Sequence, residues 1–306
     1  MLPLLSYPIS VMLVDDDPLF LQVLTDFLEK DYPLLTFNSP KDAVNFHEKN
    51  IELIPKIKFL RGCSEFDSYD ISGHMPVDID HEALKNMRNY REFAPEIGVI
   101  VVDYNMPEMN GIEVCRRLKD FPMKKILLTG EANEELATIA FNEGVIDCFI
   151  RKGSEALPSS IKYYLEVLTQ EYLSNKTQHL LKHLEIDRLL PVSDPAFIRF
   201  FKEWCLKHRI REHYIIDQNA NFLLVDENEK KYFFVIHTER TLNSFTDLHD
   251  DTEKNKECVE AVRLREKIPF FGENTESWEV DHGNWSSCFH APNVFQGREK
   301  YYWLVI

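Results

Sequence analysis

Paired cysteines are missing from this chain. The six present, Cys63, Cys115, Cys148, Cys205, Cys258 and Cys288, form no CxxC. His179 and His183 stand at zinc-finger spacing, but no cysteine pair precedes them, so a metal framework is not expected. Reduced thiols, mostly packing residues of a cytosolic protein, fit this usage. Long apolar runs are missing too, since nothing approaches the roughly 18 residues that span a bilayer. The N-terminal MLPLLSYPISVMLV lacks a basic n-region, is interrupted by Pro3 and Pro8, and runs into three aspartates. That pattern argues against a secretion signal and for a strand at its end. Positive charge is scarce: Lys+Arg number 35 against 51 Asp+Glu, a net charge of −16. This sign opposes non-specific attraction to nucleic acid or anionic membranes. Divided after residue 190, the first part holds 20 basic and 31 acidic residues (−11) and the remainder 15 and 20 (−5), so neither part is basic. No repeat is visible. The expectation is a soluble, cytoplasmic protein without a membrane partner and without general affinity for nucleic acid.

What is there is a globular composition. With 44% hydrophobic and 28% charged residues the chain is too apolar for disorder, and 306 residues suggest two domains. Ser10–Val14 reads as a short apolar strand stopping at Asp15-Asp16-Asp17, after which Pro18 opens a helical pattern with Phe20, Leu21, Leu24, Phe27 and Leu28 on one side. Further strands are expected at Leu34–Phe37, Gly98–Val102, Lys125–Leu128 and Asp147–Ile150, with helices between them. Apolar strands without alternation, separated by helices, imply a doubly wound parallel sheet covered on both faces. About sixty residues separate the second strand from GVIVV, where a crossover needs only some 30 in all. Roughly 40 therefore look inserted, including the acidic EFDSYDISGHMPVDID and a helix over HEALKNMRNYREF.

From Pro158 to about Leu189 the pattern is one long helix or two, with Ile161, Leu165, Leu168 and Tyr172 at coiled-coil spacing. Ser193-Asp194-Pro195 then signals a helix entry. An antiparallel meander follows through HYIID, NFLLVDE and YFFVIHT, with Thr238 capping a helix and another over about Lys254–Lys267. Short strands are expected around Trp278–Val280, Cys288–His290 and Tyr301–Ile306. The division is a first domain at 1–170 with an insertion at about 50–95, a helical connector at 171–192, and an α+β domain with an antiparallel sheet at 193–306.

Asp15 and Asp16 end the first strand and Asp103 ends the third. In a doubly wound sheet these ends meet at the topological switch point where ligands bind. Crowded carboxylates raise one another's pKa unless a cation neutralises them, and an all-oxygen acidic site selects a hard ion such as Mg²⁺. Thr129 and Lys152 end the next two strands, adding a hydroxyl and an ammonium to the same rim. Carboxylate nucleophile, metal, lysine and hydroxyl together suit phosphoryl transfer.

The pieces LVDDDP (13–18), VVDYNMPEMNG (101–111), LLTG (127–130) and FIRK (149–152) resemble the receiver domain of two-component response regulators, over about residues 9–170. The resemblance implies a flavodoxin-like fold with Asp103 as phosphoacceptor. It implies Mg²⁺ held by Asp16, Asp103 and the backbone carbonyl of Asn105, with Asp15 acting through bound water. Lys152 and Thr129 would bind the phosphoryl group, Phe149 would be an aromatic switch, and Asn105 and Glu131 would tune dephosphorylation. A sensor histidine kinase or phosphotransfer protein would be the donor, and phosphorylation would favour a homodimer. Two departures stand out. Gly153 replaces the proline usual after the lysine, and Asp15 lies 88 residues before Asp103 because of the insertion. A receiver with this insertion and an acidic α+β output domain is similar to the Lqs-type response regulators of α-hydroxyketone quorum sensing.

The output half carries no recognisable catalytic motif. A protein-interaction or ligand-binding module is expected. The alternatives are an enzyme, such as a nucleotide-related one built on His237, His249, His282 and His290, or DNA binding through the basic helix with Arg199, Lys202, Lys207, Arg209 and Arg211. Against the last, no turn and second recognition helix accompany it.

Overall fold

The computed structural model describes residues 2–53, 60–61, 78–79, 95–130, 133–181, 190–217, 219–249, 255–271 and 285–306, and the chain divides into two compact units. Strands β1 (Leu5–Ser6) and β2 (Ser10–Val14) are separated only by Tyr7, Pro8 and Ile9, yet they join different sheets. From β2 the chain continues through α1 (Pro18–Leu28), β3 (Leu34–Phe37), α2 (Pro40–Leu53), β4 (Leu60–Arg61), β5 (Asp78–Ile79), β6 (Ile97–Asp103), α3 (Gly111–Arg117), β7 (Lys124–Thr129), α4 (Glu134–Asn142), β8 (Cys148–Arg151) and α5 (Leu157–Leu181). Strands β3, β2, β6, β7 and β8 form, in that order, a five-stranded parallel sheet of flavodoxin-like topology. All five residues of β2 and all seven of β6 are buried, as an apolar strand covered on both faces requires. The register pairs Val14 with Val102, Asp103 with Leu128 and Thr129 with Arg151, which brings the C-terminal strand ends onto one rim.

Helix α1 begins where the sequence dictates. The Asp17 carboxylate caps the amides of Leu19 and Phe20, and Pro18 takes the first helical position, where its missing N–H costs nothing. Leu21, Leu24 and Leu28 then turn into the core, each stabilising it by roughly 2 kcal/mol. In α5 the coiled-coil spacing has another explanation: Ile161, Leu165, Leu168 and Tyr172 are buried within the chain's own fold. Tyr172 donates to Glu96 at 2.6 Å, and Lys176 pairs with the same carboxylate at 2.5 Å. Of the expected insertion, β4 and β5 pair antiparallel, Leu60 with Ile79. The expected helix over 81–93 lies outside the described residues, as do residues 182–189 of the expected connector.

The second unit, to which β1, β4 and β5 also belong, contains α6 (Leu190–Ser193), α7 (Pro195–Lys207), β9 (Ile210–Ile215), β10 (Phe222–Asp226), β11 (Lys231–Thr238), α8 (Glu239–Leu248), α9 (Lys256–Arg263), β12 (Ile268–Pro269), β13 (Phe289–His290), β14 (Asn293–Gln296) and β15 (Lys300–Val305). Its main sheet has six antiparallel strands in the order β1, β9, β10, β11, β15, β14. Alternation along the strands supplies both faces. Phe234 and Tyr301 meet Phe197 of α7, while Val235, Tyr302 and Leu304 join Leu242, Val259, Val262 and Trp285 in a separate cluster.

Residues 1–170 were expected to form one domain, and β1 corrects this. Leu5 pairs with Tyr214 and Ser6 with His213, the Ile215 amide donates to the Leu4 carbonyl, and Leu2, Leu4 and Leu5 are buried. Burial of these leucines binds the segment to the second sheet. The edge strand β14 was not expected from sequence. The helix expected over 254–267 ends at Arg263, and the strand expected at 278–280 lies outside the described residues.

Asp194 holds two distant parts of this unit together. Its carboxylate caps α7 through the Ala196 amide at 2.8 Å and accepts from the Arg298 amide at 2.6 Å and the Tyr301 hydroxyl at 2.9 Å. Gly297 must lack a side chain, since a Cβ there would stand 2.3 Å from Asp194 Oδ2. Burial alone would raise the Asp194 pKa, but these donors hold it below the usual carboxylate range. Asp194→Ala, which leaves three donors without an acceptor, is expected to cost about 2–4 kcal/mol in urea unfolding. Because the folded-state pKa is depressed, Asp194 stabilises the protein above about pH 4 and loses that contribution as pH falls through the lower folded value. The wild-type advantage over the variant should shrink accordingly on acidification.

Candidate functional site

The rim of the parallel sheet gathers three carboxylates. Asp15 and Asp16 follow β2, Asp103 ends β6, and one oxygen of each lies within 4.8 Å of the others. Asp15 and Asp103 are buried and Asp16 faces solvent. Lys152, just past β8, reaches into the group, its Nζ 2.7 Å from Asp15 Oδ2 and 3.1 Å from Asp103 Oδ1. The backbone holds the remaining oxygens: the Asp17 amide donates to Asp15 Oδ1 at 3.0 Å and the Asn105 amide to Asp103 Oδ2 at 2.9 Å.

Burial pushes the Asp103 carboxyl up, Lys152 opposes the rise, and the charge of Asp15 adds to it. Burial works against the Lys152 ammonium, yet the hydrogen bond to Asp15 and the two carboxylate charges raise its pKa overall. Three carboxylates against one ammonium leave negative charge uncompensated in a partly buried, all-oxygen site. That donor set fits a hard divalent cation such as Mg²⁺, with Asp16 open to solvent for its entry.

Thr129 is buried at the end of β7, where its hydroxyl donates to the Gly130 carbonyl at 3.1 Å and its own carbonyl accepts from the Lys152 amide at 2.9 Å. Phe149 is half-buried and packs against the core beneath the rim. Asn105 follows Asp103, and its side-chain oxygen accepts from Asn133 at 3.4 Å. Glu131 lies outside the described residues. Gly153 leaves open space where a side chain would stand, and its peptide bond with Lys152 is trans.

Three contributors were missed in the sequence. Asp17 both caps α1 and donates its amide to Asp15. Gly111 permits a close approach, since a Cβ there would sit 2.3 Å from the Asp103 carbonyl oxygen. Phe20 places its ring 4.3 Å from Lys152 Nζ. The acidic run, the helix-opening glycine and the position five after Asp15 were all readable, but only the folded chain shows what they touch.

Among the described residues, the histidine candidates of the second unit form no metal-binding cluster. His237 is buried, bonded to the Pro269 carbonyl at 2.9 Å and near Thr241 Oγ1, and burial lowers its pKa to about 4, so it serves the packing. His249 packs at a tilt against Phe245 and meets Trp285 edge-on, while His290 lies on β13. His183 and His282 lie outside the described residues, and nothing is described of the His179 side chain. Among the described residues the aspartate group is the sole cluster able to hold a metal. The basic helix α7 commits Phe197 and Phe201 to the sheet and leads into β9, not into a recognition helix.

The family described as the response regulator receiver domain matches residues 74–160, a span that includes Asp103, Thr129 and Lys152 and begins beyond Asp15 and Asp16. The transcriptional regulatory protein FixJ of Rhizobium meliloti (strain 1021) is 39% identical over 67 residues, 21% of this chain and 32% of that protein, so the chain spans about a third of this curated relative. The chain carries a response regulator receiver domain, the module of two-component systems. Over its whole length it is similar to one particular solved structure, the response regulator LqsR of Legionella pneumophila. The two are 26% identical, with a TM-score of 0.74 over 99% of this chain and 88% of that one.

Asp103→Asn tests the electrostatics directly. With the folded-state pKa raised, Asp103 favours folding below the unfolded value of about 4 and loses that contribution as pH rises through the folded value. Without divalent cations, the urea midpoint of the variant relative to wild type should therefore rise between acidic and neutral pH.

Proposed function

We propose that Asp103 accepts a phosphoryl group from a phosphohistidine on a sensor histidine kinase or phosphotransfer protein, and that the modified chain signals as a homodimer. The observation that supports this most is Lys152 bound to Asp15 at 2.7 Å and to Asp103 at 3.1 Å within the three-carboxylate cluster. An oxygen of Asp103 attacks phosphorus, the P–N bond breaks, and the imidazole leaves with the electron pair and takes up a proton. Asp16, Asp103 and the Asn105 carbonyl would hold Mg²⁺, with Asp15 acting through bound water, and the ion would supply charge neutralisation for this transfer.

The product carries about −1.5 to −2 charge next to buried groups. Lys152 follows it by exchanging its Asp103 bond for a phosphoryl oxygen. The Thr129 hydroxyl leaves the Gly130 carbonyl to donate to another, and Phe149 packs into the space that movement vacates. Asn105 and Glu131 set how quickly water removes the group. The surface of α4, β8 and α5 carries the change to dimerisation, and the second unit acts as a protein-interaction or ligand-binding module. We assign the protein to the cytoplasm, where kinase and Mg²⁺ meet, and to quorum-sensing signalling on the Lqs-type resemblance.

Acetyl phosphate with Mg²⁺ should add one phosphoryl group to the wild type, seen by intact mass, and none to Asp103→Asn. A chelator should abolish the reaction, and beryllofluoride should shift the wild type towards dimer in sedimentation. Equal modification of both proteins would show that the acceptor lies elsewhere.

A further inference from the structure

The Lys152 ammonium has three N–H directions, and the carboxylates take two of them. On a third side stands the ring of Phe20, with its centroid 4.3 Å from Nζ. A cation this close to an aromatic face is drawn to its negative quadrupole. The ring is placed by the same acidic run that builds the site: Asp17 accepts from the amides of Leu19 and Phe20, and Pro18 fixes the backbone between them. Leu21, Leu24 and Leu28 fill the core from this helix, whereas Phe20 is half-buried and faces the ammonium.

The Lys152 side chain retains 28% exposure, so water competes for its charge. When an Asp103 oxygen becomes the bridging oxygen of an acyl phosphate, that carboxylate loses its charge and Lys152 must exchange this anchor for a phosphoryl oxygen. The attraction of the ring does not depend on Asp103. It persists through the reaction and limits the long, flexible lysine side chain to positions beside the acceptor.

We propose that Phe20 is a positioning residue whose ring face holds the Lys152 ammonium beside Asp103 while the phosphoryl group arrives. The role deepens the phosphoacceptor reading and rests on it, but the contact itself can be measured separately. With acetyl phosphate the reaction forms the Asp103 O–P bond as the acyl phosphate P–O bond breaks and acetate leaves.

The test uses the full chain with mono-, di- and trifluorinated phenylalanine at position 20. Fluorine drains electron density from the ring face while nearly preserving its shape. The rate of modification by acetyl phosphate and Mg²⁺ should fall stepwise, to about two- to fivefold below wild type. Phe20→Leu should show the low rate, and Phe20→Trp, the strongest cation acceptor, should retain a high one. A packing role alone predicts the same rate for all fluorinated forms, and that result would overturn the proposal.

The second readout is the side-chain nitrogen resonance of Lys152 in the unmodified protein, which should move with each added fluorine. A resonance indifferent to fluorination also overturns the proposal, whether or not the protein takes a phosphoryl group. Failure of the wild type to be modified, with the resonance still responding, counts against the Asp103 assignment and leaves the Phe20 contact standing.

Discussion

One ammonium shared by two buried carboxylates is the constraint on which the first unit depends. Lys152 lies 137 positions after Asp15 and 49 after Asp103, so its bonds at 2.7 and 3.1 Å exist only if three strands far apart in the sequence end on one rim. The sheet order β3-β2-β6-β7-β8 provides that arrangement, and the fully buried β2 and β6 carry the carboxylates to the same depth. The arrangement is costly by itself, because burial raises the Asp103 pKa and Asp15 adds to the rise. Backbone amides of Asp17 and Asn105 offset part of this, and so does the lysine. The residual negative charge makes the site receptive to a cation.

The parts of this site that could be read from sequence share a property. Each functional residue stands where a continuous apolar strand stops, so the change from apolar to polar marks both the strand end and the functional side chain. Asp15, Asp16, Asp103, Thr129 and Lys152 are all found this way. Phe20 is not, because it falls into the apolar pattern of α1 beside Leu21 and Leu24, and hydrophobic periodicity cannot distinguish a ring facing the core from one facing a charge. Gly111 reads as a helix opener. Its second task, allowing the Asp103 carbonyl to approach, depends on distances between elements.

The same reasoning explains where the fold was harder to read. β1 has two residues between prolines, too short for any periodicity, and its partner β9 comes after the whole first unit in sequence. β14, with the polar ends of NVFQ and an exposed Val294, lacks the alternation of a half-buried strand. In contrast, β9, β10 and β11 carry apolar segments separated by polar turns, and α7 and α8 announce themselves through their Asp194 and Thr238 caps. Local signals thus reveal elements that nucleate locally, while edge strands recruited from far along the chain leave little trace.

β1 also changes how the two units are connected. The second sheet begins at Leu5, is interrupted by the whole parallel sheet, and resumes at Ile210, so the parallel sheet is inserted between two strands of the antiparallel one. The junction is well anchored on the second-unit side: His213 bonds the Pro3 carbonyl at 2.9 Å, and Tyr7 stacks on Tyr214 at 5.9 Å. On the first-unit side, the Ser10 amide donates to the Glu96 carbonyl at 2.8 Å, and Ile9 fills the space beside Gly98 and Tyr172. Both anchors flank a link of a few residues, which runs directly into the strand carrying Asp15 and Asp16. A long helix was the connection visible in the sequence. The fold adds a covalent path, shorter than the helix, that runs from the carboxylate strand directly to the antiparallel sheet.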